Sequence, residues 1–268
     1  TYPILISAPR GIIYDRGYKR LVENAPTFVI AVDASAVASD EEFESALNRT
    51  ARLVGRQVRD IAEVNGLDEK LVSSGNLFSR SSWPPEIFIA AGELRDVILE
   101  IESHPDDFPF ISVTEADRRD YILGSFSSHV LGYVGRPNRE EITSGRYLHS
   151  AGVVGRAGVE KQYEDFLRGS DGKKMIEVDA AGEKLRERYI VKAVPGQNVV
   201  LEIDSGLERF AASTLERHIR ALGKKAGAIV AMDPRDGAIR AMASFPSFDP
   251  NVFLSNSPRK DIQKLLND

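Results

Sequence analysis

Ser257-Pro258-Arg259-Lys260 sets a hydroxyl and an amine three residues apart. On a helix that spacing puts them one turn from each other, where a lysine can take the serine's proton and activate it for acyl transfer. The local sequence argues for another use. Serine directly before proline is the pattern of a helix N-cap followed by proline at the first helical position, and the residues around it are polar. Ser257 is therefore read as a decoy. The remaining titratable residues form no better set. His104, His129, His149 and His218 are scattered, and none has a second histidine or carboxylate at metal-ligand spacing. His129 precedes an apolar run and reads as a hydrogen-bonded structural residue. Asp106-Asp107 lacks the spaced Asp/Asn and glycine of a calcium loop. No glycine loop is arranged to cradle phosphate, and zero cysteines exclude thiolate metal sites and disulfides.

The elements that position these residues are readable in outline. Residues 1–38 read as extended, with Gly11–Tyr14, a turn at Arg16-Gly17, and Thr27–Asp33. Ser39-Asp40-Glu41-Glu42 has the form of a capping box. Phe43, Leu47, Ala51 and Val54 follow on one helical face. Gly55 is expected to end that helix and Val58–Val64 to begin another. After Pro84-Pro85, Glu86–Ala91 reads as a strand and Glu93–Glu102 as a helix with Leu94, Val97, Ile98 and Ile101 inward. Trp83, the only tryptophan, is expected in the core of this helix-rich insertion, which covers about residues 40–105. Phe108–Val113 returns to a sheet. Glu160–Leu167 is predicted as one short helix with Val159, Tyr163, Phe166 and Leu167 packed inward. Lys173–Asp179 and Arg188–Val194 read as strands around Gly182, and Asn198–Asp204 as another. Gly206–Leu222 is an amphipathic helix carrying Leu207, Phe210, Ala211, Leu215 and Ile219. Ala228–Met232 and Ala238–Ala243 flank Asp233-Pro234-Arg235-Asp236-Gly237 and read as a hairpin. Residues beyond about Ser244 are expected to be loosely held.

Five segments, in order, resemble those of the class B penicillin-binding proteins, nearest their elongation-specific members. They are Arg10-Gly11-Ile12-Ile13-Tyr14-Asp15-Arg16, His129-Val130-Leu131-Gly132-Tyr133-Val134-Gly135, and Gly155-Arg156-Ala157-Gly158-Val159-Glu160 leading into Tyr163-Glu164. Pro195-Gly196 with Val199–Asp204 is the fourth. The fifth is the hairpin with Asp233-Pro234, Gly237 and Pro246-Ser247-Phe248-Asp249-Pro250-Asn251. Arg118–Gly124 resembles a sixth, an Arg-x-Tyr-Pro-x-Gly segment, with Ile122 where the family has proline. At the first turn the family has Asp-Arg-Asn-Gly where this chain has Asp15-Arg16-Gly17-Tyr18, so the glycine that can take a positive φ is shifted by one position.

The resemblance implies an α+β fold. An elongated, strand-rich, non-catalytic pedestal would span residues 1–204, with the head insertion at about 40–105. Residues 205–268 would be the truncated start of a transpeptidase domain. It implies no catalytic, metal or cofactor site in this chain. The motif residues Arg10, Gly11, Asp15, Arg16, Gly124, His129, Gly132, Tyr133, Gly155, Gly158, Glu160, Tyr163, Asp204, Asp233, Pro234 and Gly237 would be structural. Among them Arg10, Asp15, Arg16 and Glu160 read as ion pairs knitting the pedestal, because guanidinium and carboxylate bond bidentately. In the family the catalytic S-x-x-K starts a long buried helix and precedes K-[ST]-G, whereas Lys225-Ala226-Gly227 comes before Ser257.

The parent implied is a D,D-transpeptidase on the extracytoplasmic face of the inner membrane, held by a single N-terminal anchor absent here. Its partners would be a SEDS glycan polymerase of the RodA type and, through the head, the scaffold MreC. Weak homodimerisation through the unfinished hairpin region is also expected. The alternatives are a complete serine D,D-peptidase using Ser257, or a relative from the division machinery. Composition fits the first reading. The 268 residues suffice for one large domain or two ordinary ones, and 42% hydrophobic residues suffice for a core. A net charge of −5 argues against a nucleic-acid binder. No run of about 18 apolar residues is present to span a bilayer.

Overall fold

The computed structural model describes residues 2–34, 36–67, 69–75, 77–83, 86–92, 94–137, 140–141, 152–178 and 184–254. Ser257, Lys260, His149, Pro84, Pro85 and Gly182 lie outside them. The fold is α+β. The strands are β1 (Tyr2–Ile6), β2 (Ile13–Tyr14), β3 (Arg20–Asp33), β4 (Glu86–Gly92), β5 (Ile111–Tyr121) and β6 (Val134–Gly135). They continue with β7 (Val154–Gly155), β8 (Gly172–Val178), β9 (Lys184–Val191), β10 (Val199–Val200), β11 (Gly227–Met232) and β12 (Ile239–Phe245). The helices are α1 (Asp40–Leu53), α2 (Val58–Val64), α3 (Glu69–Ser74), α4 (Arg95–Ser103), α5 (Ser128–Leu131), α6 (Gly158–Gln162), α7 (Glu164–Leu167) and α8 (Ser205–Ala221).

The chain divides into two compact units. The described residues of one lie within 1–25, 119–135 and 154–254; those of the other lie within 26–118, 136–141 and 152–153. β3 serves both. Its ladder to β2 involves Arg20 and Val22, and its ladder to β4 begins at Phe28. Pro26 lies between these two ladders, where its missing N–H costs neither of them a bond.

The helix-rich unit is built as the sequence predicts. Ser39 caps α1 by accepting from Glu42 N–H at 3.2 Å, and the Glu42 carboxylate accepts from Ala38 N–H at 3.1 Å. Phe43, Leu47 and Ala51 are buried against Ile30, Val32, Ile61, Ile87 and Ile89. Gly55, at φ +67°, ends the first helix in the left-handed conformation that lacks a Cβ penalty. Trp83 is in this core, edge-on to Phe43 with ring centroids 5.8 Å apart, and its indole N–H donates to Leu77 O at 2.7 Å. Asn65 extends the order to β4: its side chain donates to Phe88 O and accepts from Phe88 N–H, as a neighbouring strand would.

Several boundaries differ from expectation. α4 starts at Arg95, not Glu93. β5 begins at Ile111 and runs to Tyr121, because the 3-10 turn Pro105–Asp107 takes up the approach. Only Val199–Val200 of the expected strand 198–204 pairs, and Asp204 already caps α8. The predicted helix 160–167 is two short helices that break at Tyr163. The break turns Tyr163 (40% exposed) and Phe166 (55% exposed) outward instead of inward, leaving Leu167 buried. Leu207 and Phe210 of α8 are likewise exposed, while Ala211 and Leu215 pack on Ala241 and Ala243 of β12. The hairpin forms as β11 and β12. The positive φ of the first turn is at Tyr18 (φ 59°), not Gly17, so the backbone keeps its conformation where the side chain has changed.

Candidate functional site

Arg10 lies in the loop between β1 and β2 and is buried. Its Nε donates to Glu160 Oε2 at 2.7 Å, and its Nη2 donates to Glu164 Oε2 at 2.6 Å and to Glu160 O at 3.1 Å. The other oxygen of Glu160 accepts from Arg119 Nε at 2.8 Å. Arg119, at the end of β5, also donates to Asn24 Oδ1 at 2.9 Å, and Asn24 donates to Arg10 O at 2.7 Å. The ring is thus closed through both side chain and backbone. Tyr121 stands beside it with its hydroxyl 3.5 Å from Glu160 Oε1, accepting from Val134 N–H at 3.0 Å. Glu164 also accepts from Gly155 N–H at 2.8 Å. Two guanidiniums and two carboxylates therefore share one buried, formally neutral cluster. Burial works against the charge of Arg10, but Glu160 and Glu164 outweigh it and hold its pKa above the ordinary value. Burial, reinforced by Glu160, pushes the Tyr121 phenol well up. Both oxygens of Glu160 are thus held by guanidiniums.

Glycines admit the backbone that delivers these residues. Gly132 (φ +73°) and Gly158 (φ +57°) face each other. A Cβ on Gly132 would lie 1.9 Å from Ala157 O, and one on Gly158 would lie 2.5 Å from Gly132 N. Only glycine permits that approach, and it sets the start of α6, hence Glu160. Gly155 closes the same corner: its Cβ would strike Glu160 O at 2.1 Å. Gly11 donates its N–H to Leu167 O at 2.8 Å.

A second set of contacts lies around the N-terminus of α8. Asp15 Oδ1 accepts from Gly17 and Lys19 N–H, while Oδ2 accepts from Ser205 Oγ at 2.6 Å. Burial opposes its charge, but these bonds, led by Ser205, hold its carboxyl below the usual value. Arg16 is exposed and contributes its backbone N–H to Ile203 O at 3.0 Å. Asp204 Oδ1 accepts from Gly206 and Leu207 N–H, both at 3.0 Å, an N-cap on the helix. Glu208, one turn on, is fully buried. Its Oε2 accepts from Met242 N–H at 2.7 Å, its Oε1 has no partner among the described residues, and burial raises its pKa to about 7. In the hairpin turn Asp233 is bound by Arg235 and Arg240, which hold it well below the usual range, next to exposed Pro234 and Gly237 at φ +76°.

A third set holds residues 245–254. His129 Nε2 is 3.0 Å from Pro246 O, with its ring against Phe248. Tyr133 stacks on Phe253 with centroids 3.8 Å apart and planes at 15°. Asn251 donates to Tyr121 O at 3.2 Å and accepts from Tyr121 N–H at 3.0 Å. Gly124 (φ +53°) opens the turn beneath, near Asp249. The loose segment expected past Ser244 is therefore pinned as far as Leu254. Ile122 donates its N–H to Leu21 O at 3.0 Å, a bond the family's proline could not make.

The structure thus brings Arg10 and Glu160 together, places Asp15 and Asp204 at one helix end, and leaves Arg16 and Tyr163 at the surface. The partners Arg119, Glu164, Asn24, Tyr121, Glu208 and Asn251 were given no role from sequence. Glu164 carried one signal: it lies four residues after Glu160, where two carboxylates share a helical face. Among the described residues no group of three His, Asp or Glu side chains could hold a metal, and no helix is long and apolar enough to cross a membrane.

Comparison with known proteins places this geometry. The sequence profile of the penicillin-binding protein dimerisation domain matches residues 5–201. The peptidoglycan D,D-transpeptidase MrdA of Haemophilus influenzae is 29% identical over 97% of this chain and 38% of its own length. MrdA of Acinetobacter baumannii is 32% identical over 96% of this chain and 35% of its own. The chain thus spans well under half of these curated relatives. Among solved structures, a complex of penicillin-binding protein PBP2 with MreC from Helicobacter pylori superposes with a TM-score of 0.73 at 21% identity, covering all of this chain and 47% of that one. A peptidoglycan synthase complex that coordinates polymerisation and crosslinking gives 0.61 at 29%, covering all of this chain and 43% of its match.

Proposed function

The chain belongs to the penicillin-binding protein dimerisation-domain family, and from that premise we propose that it is the non-catalytic N-terminal part of a PBP2-like peptidoglycan D,D-transpeptidase. Its work is to position a catalytic domain and to bind partners of the cell-elongation machinery. The observation that carries this reading is the inward-turned charge cluster. Arg10, Arg119 and the Glu160–Glu164 pair come from three separate family segments and spend their hydrogen bonds chiefly on each other. Such a cluster fixes geometry without offering a reactive group. The pedestal is assigned to residues 1–204 and the beginning of a transpeptidase domain to 205–268, a boundary supported by the profile ending at residue 201. The parent is assigned to the extracytoplasmic face of the membrane.

Partners follow by relationship. A relative of this fold is solved with MreC, and another within a synthase complex. For this chain we assign MreC to the head insertion and a SEDS polymerase of the RodA type to the pedestal. A groove beside α1, lined by Glu41, Glu44, Arg49, Arg52, Leu53 and Phe108, gives the head a mixed polar and apolar surface of the kind a protein partner needs.

Two experiments test the reading. Incubated with a fluorescent penicillin, the chain is expected to remain unlabelled. A stoichiometric acyl adduct at Ser257, detected by intact mass and lost in Ser257→Ala, would show a complete serine enzyme instead. Replacing residues 40–105 with a short Gly/Ser linker is expected to abolish MreC binding by calorimetry while leaving the other unit folded. Undiminished binding would remove the head from that role.

A further inference from the structure

The three-stranded sheet β1-β8-β9 carries a charge opposite to that of the chain. The segments 172–178 and 184–192 contain Lys173, Lys174, Lys184, Arg186, Arg188 and Lys192 against only Glu177 and Glu187, in a protein of net charge −5. Arg186 is paired with Glu177 across the β8–β9 ladder. Lys173, Arg188 and Lys192 are exposed. Interleaved with them, three consecutive residues of β9 are open to solvent: Tyr189 (52%), Ile190 (55%) and Val191 (53%). β9 is an end strand of its sheet, so its outer side forms no described ladder.

Basic side chains flanking an exposed tyrosine and aliphatic residues form a surface with two complementary halves. The cations suit phosphate headgroups, and an amphipathic ring with short apolar neighbours suits the boundary between headgroups and acyl chains. A soluble polyanion would use the charges but give the Tyr189-Ile190-Val191 run nothing to bury against. We propose that the outer part of the β1-β8-β9 sheet is a peripheral docking surface for an anionic lipid bilayer. The contact is shallow. The edge backbone groups stay among hydrated headgroups, because unpaired N–H and C=O groups do not enter the hydrocarbon. It is independent of the protein partners proposed above.

Vesicle flotation of the chain tests this. The probes are vesicles of phosphatidylethanolamine and phosphatidylglycerol at 3:1, and of phosphatidylcholine alone. The chain is expected to float with the anionic vesicles at low salt, to be released as salt rises, and to ignore the neutral ones. Each cation at an anionic surface is worth roughly a fivefold change in partition. Lys173→Ser with Arg188→Ser and Lys192→Ser should therefore lower partition about a hundredfold. Tyr189→Ser with Ile190→Ser should lower it through the apolar half, and Arg188→Lys should retain it. All these sites are exposed, and thermal melts check that each variant is folded. Three results would each overturn the proposal: no preference for anionic vesicles, undiminished flotation of the folded triple variant, or equally tight binding to soluble polyglutamate at the same salt.

Discussion

The two units hold themselves together by different means. The helix-rich unit, built around Phe43, Trp83, Ile61 and Ile87, is a local assembly. Its first helix is capped by the adjacent Ser39, and its buried side chains are almost all apolar. The other unit has a small apolar core of Ile13, Leu21, Tyr121, Leu131 and Leu167, but its distinctive contacts are polar and distant in sequence. Arg10 meets Glu160 across 150 residues, Asp15 meets Ser205 across 190, and Tyr121 meets Asn251 across 130. An apolar core tolerates exchange of similar shapes. A buried ion cluster does not, because loss of one member strands its partners without water. Each unit is therefore vulnerable at a different kind of residue.

The largest effect is expected at Glu160. Glu160→Ala leaves two guanidiniums facing each other in the interior and should cost about 3–5 kcal/mol, measured by urea denaturation. Hydrogen exchange should locate the loss in residues 1–25, 119–135 and 154–254. A cost under about 1 kcal/mol would erase the contrast between the units. Phe43→Ala should cost about 3 kcal/mol through the cavity it opens, with faster exchange confined to the helix-rich unit. Exchange spreading equally to the Arg10 region would show the two to be one cooperative core.

Glu208 has its folded pKa raised by burial from 4.5 to about 7, so the fold prefers its protonated form. That contribution is complete below about pH 4.5 and is lost as pH rises through 7. Stability should fall by about 1–2 kcal/mol between pH 5 and 8 from this residue. Glu208→Gln, which keeps an acceptor for Met242 N–H, should flatten the slope; an unchanged slope would remove Glu208 as its source. Two local effects come last. Ser39→Ala should cost the helix-rich unit about 1 kcal/mol through loss of the α1 cap. Tyr18→Gly should raise stability slightly, by roughly 0.5 kcal/mol, seen as a small rise in melting temperature, since a non-glycine residue at φ 59° is strained.

The same contrast explains what could be read from the amino acids. α1, α2, β4 and the β11–β12 hairpin announce themselves because cap, periodicity and turn residues lie within a few positions of the structure they specify. The family segments drew attention to Arg10 and Glu160 but not to their pairing with Arg119 or Glu164, since no local pattern tells which distant charge will share a buried site. Tyr163 and Phe166 misled for a related reason. Their spacing fits an inward face only if one helix continues through Tyr163, and the chain instead breaks there to aim Glu160 and Glu164 at a common guanidinium. Residues 245–254 looked loose because their anchors, Tyr121 and Tyr133, are more than a hundred positions away.

The buried cluster of Arg10, Glu160, Glu164 and Arg119 has a consequence for how the fold responds to salt. Dissolved ions shield charges they can approach, over about 8 Å at physiological strength. They cannot approach a pair whose side chains are 5% and 0% exposed. Pairs such as Arg235–Asp233 at the hairpin tip, where the guanidinium is open to solvent, weaken whenever the surrounding medium grows brackish. The geometry set by the cluster is therefore insulated from the ionic strength around the protein, while the exposed pairs are not.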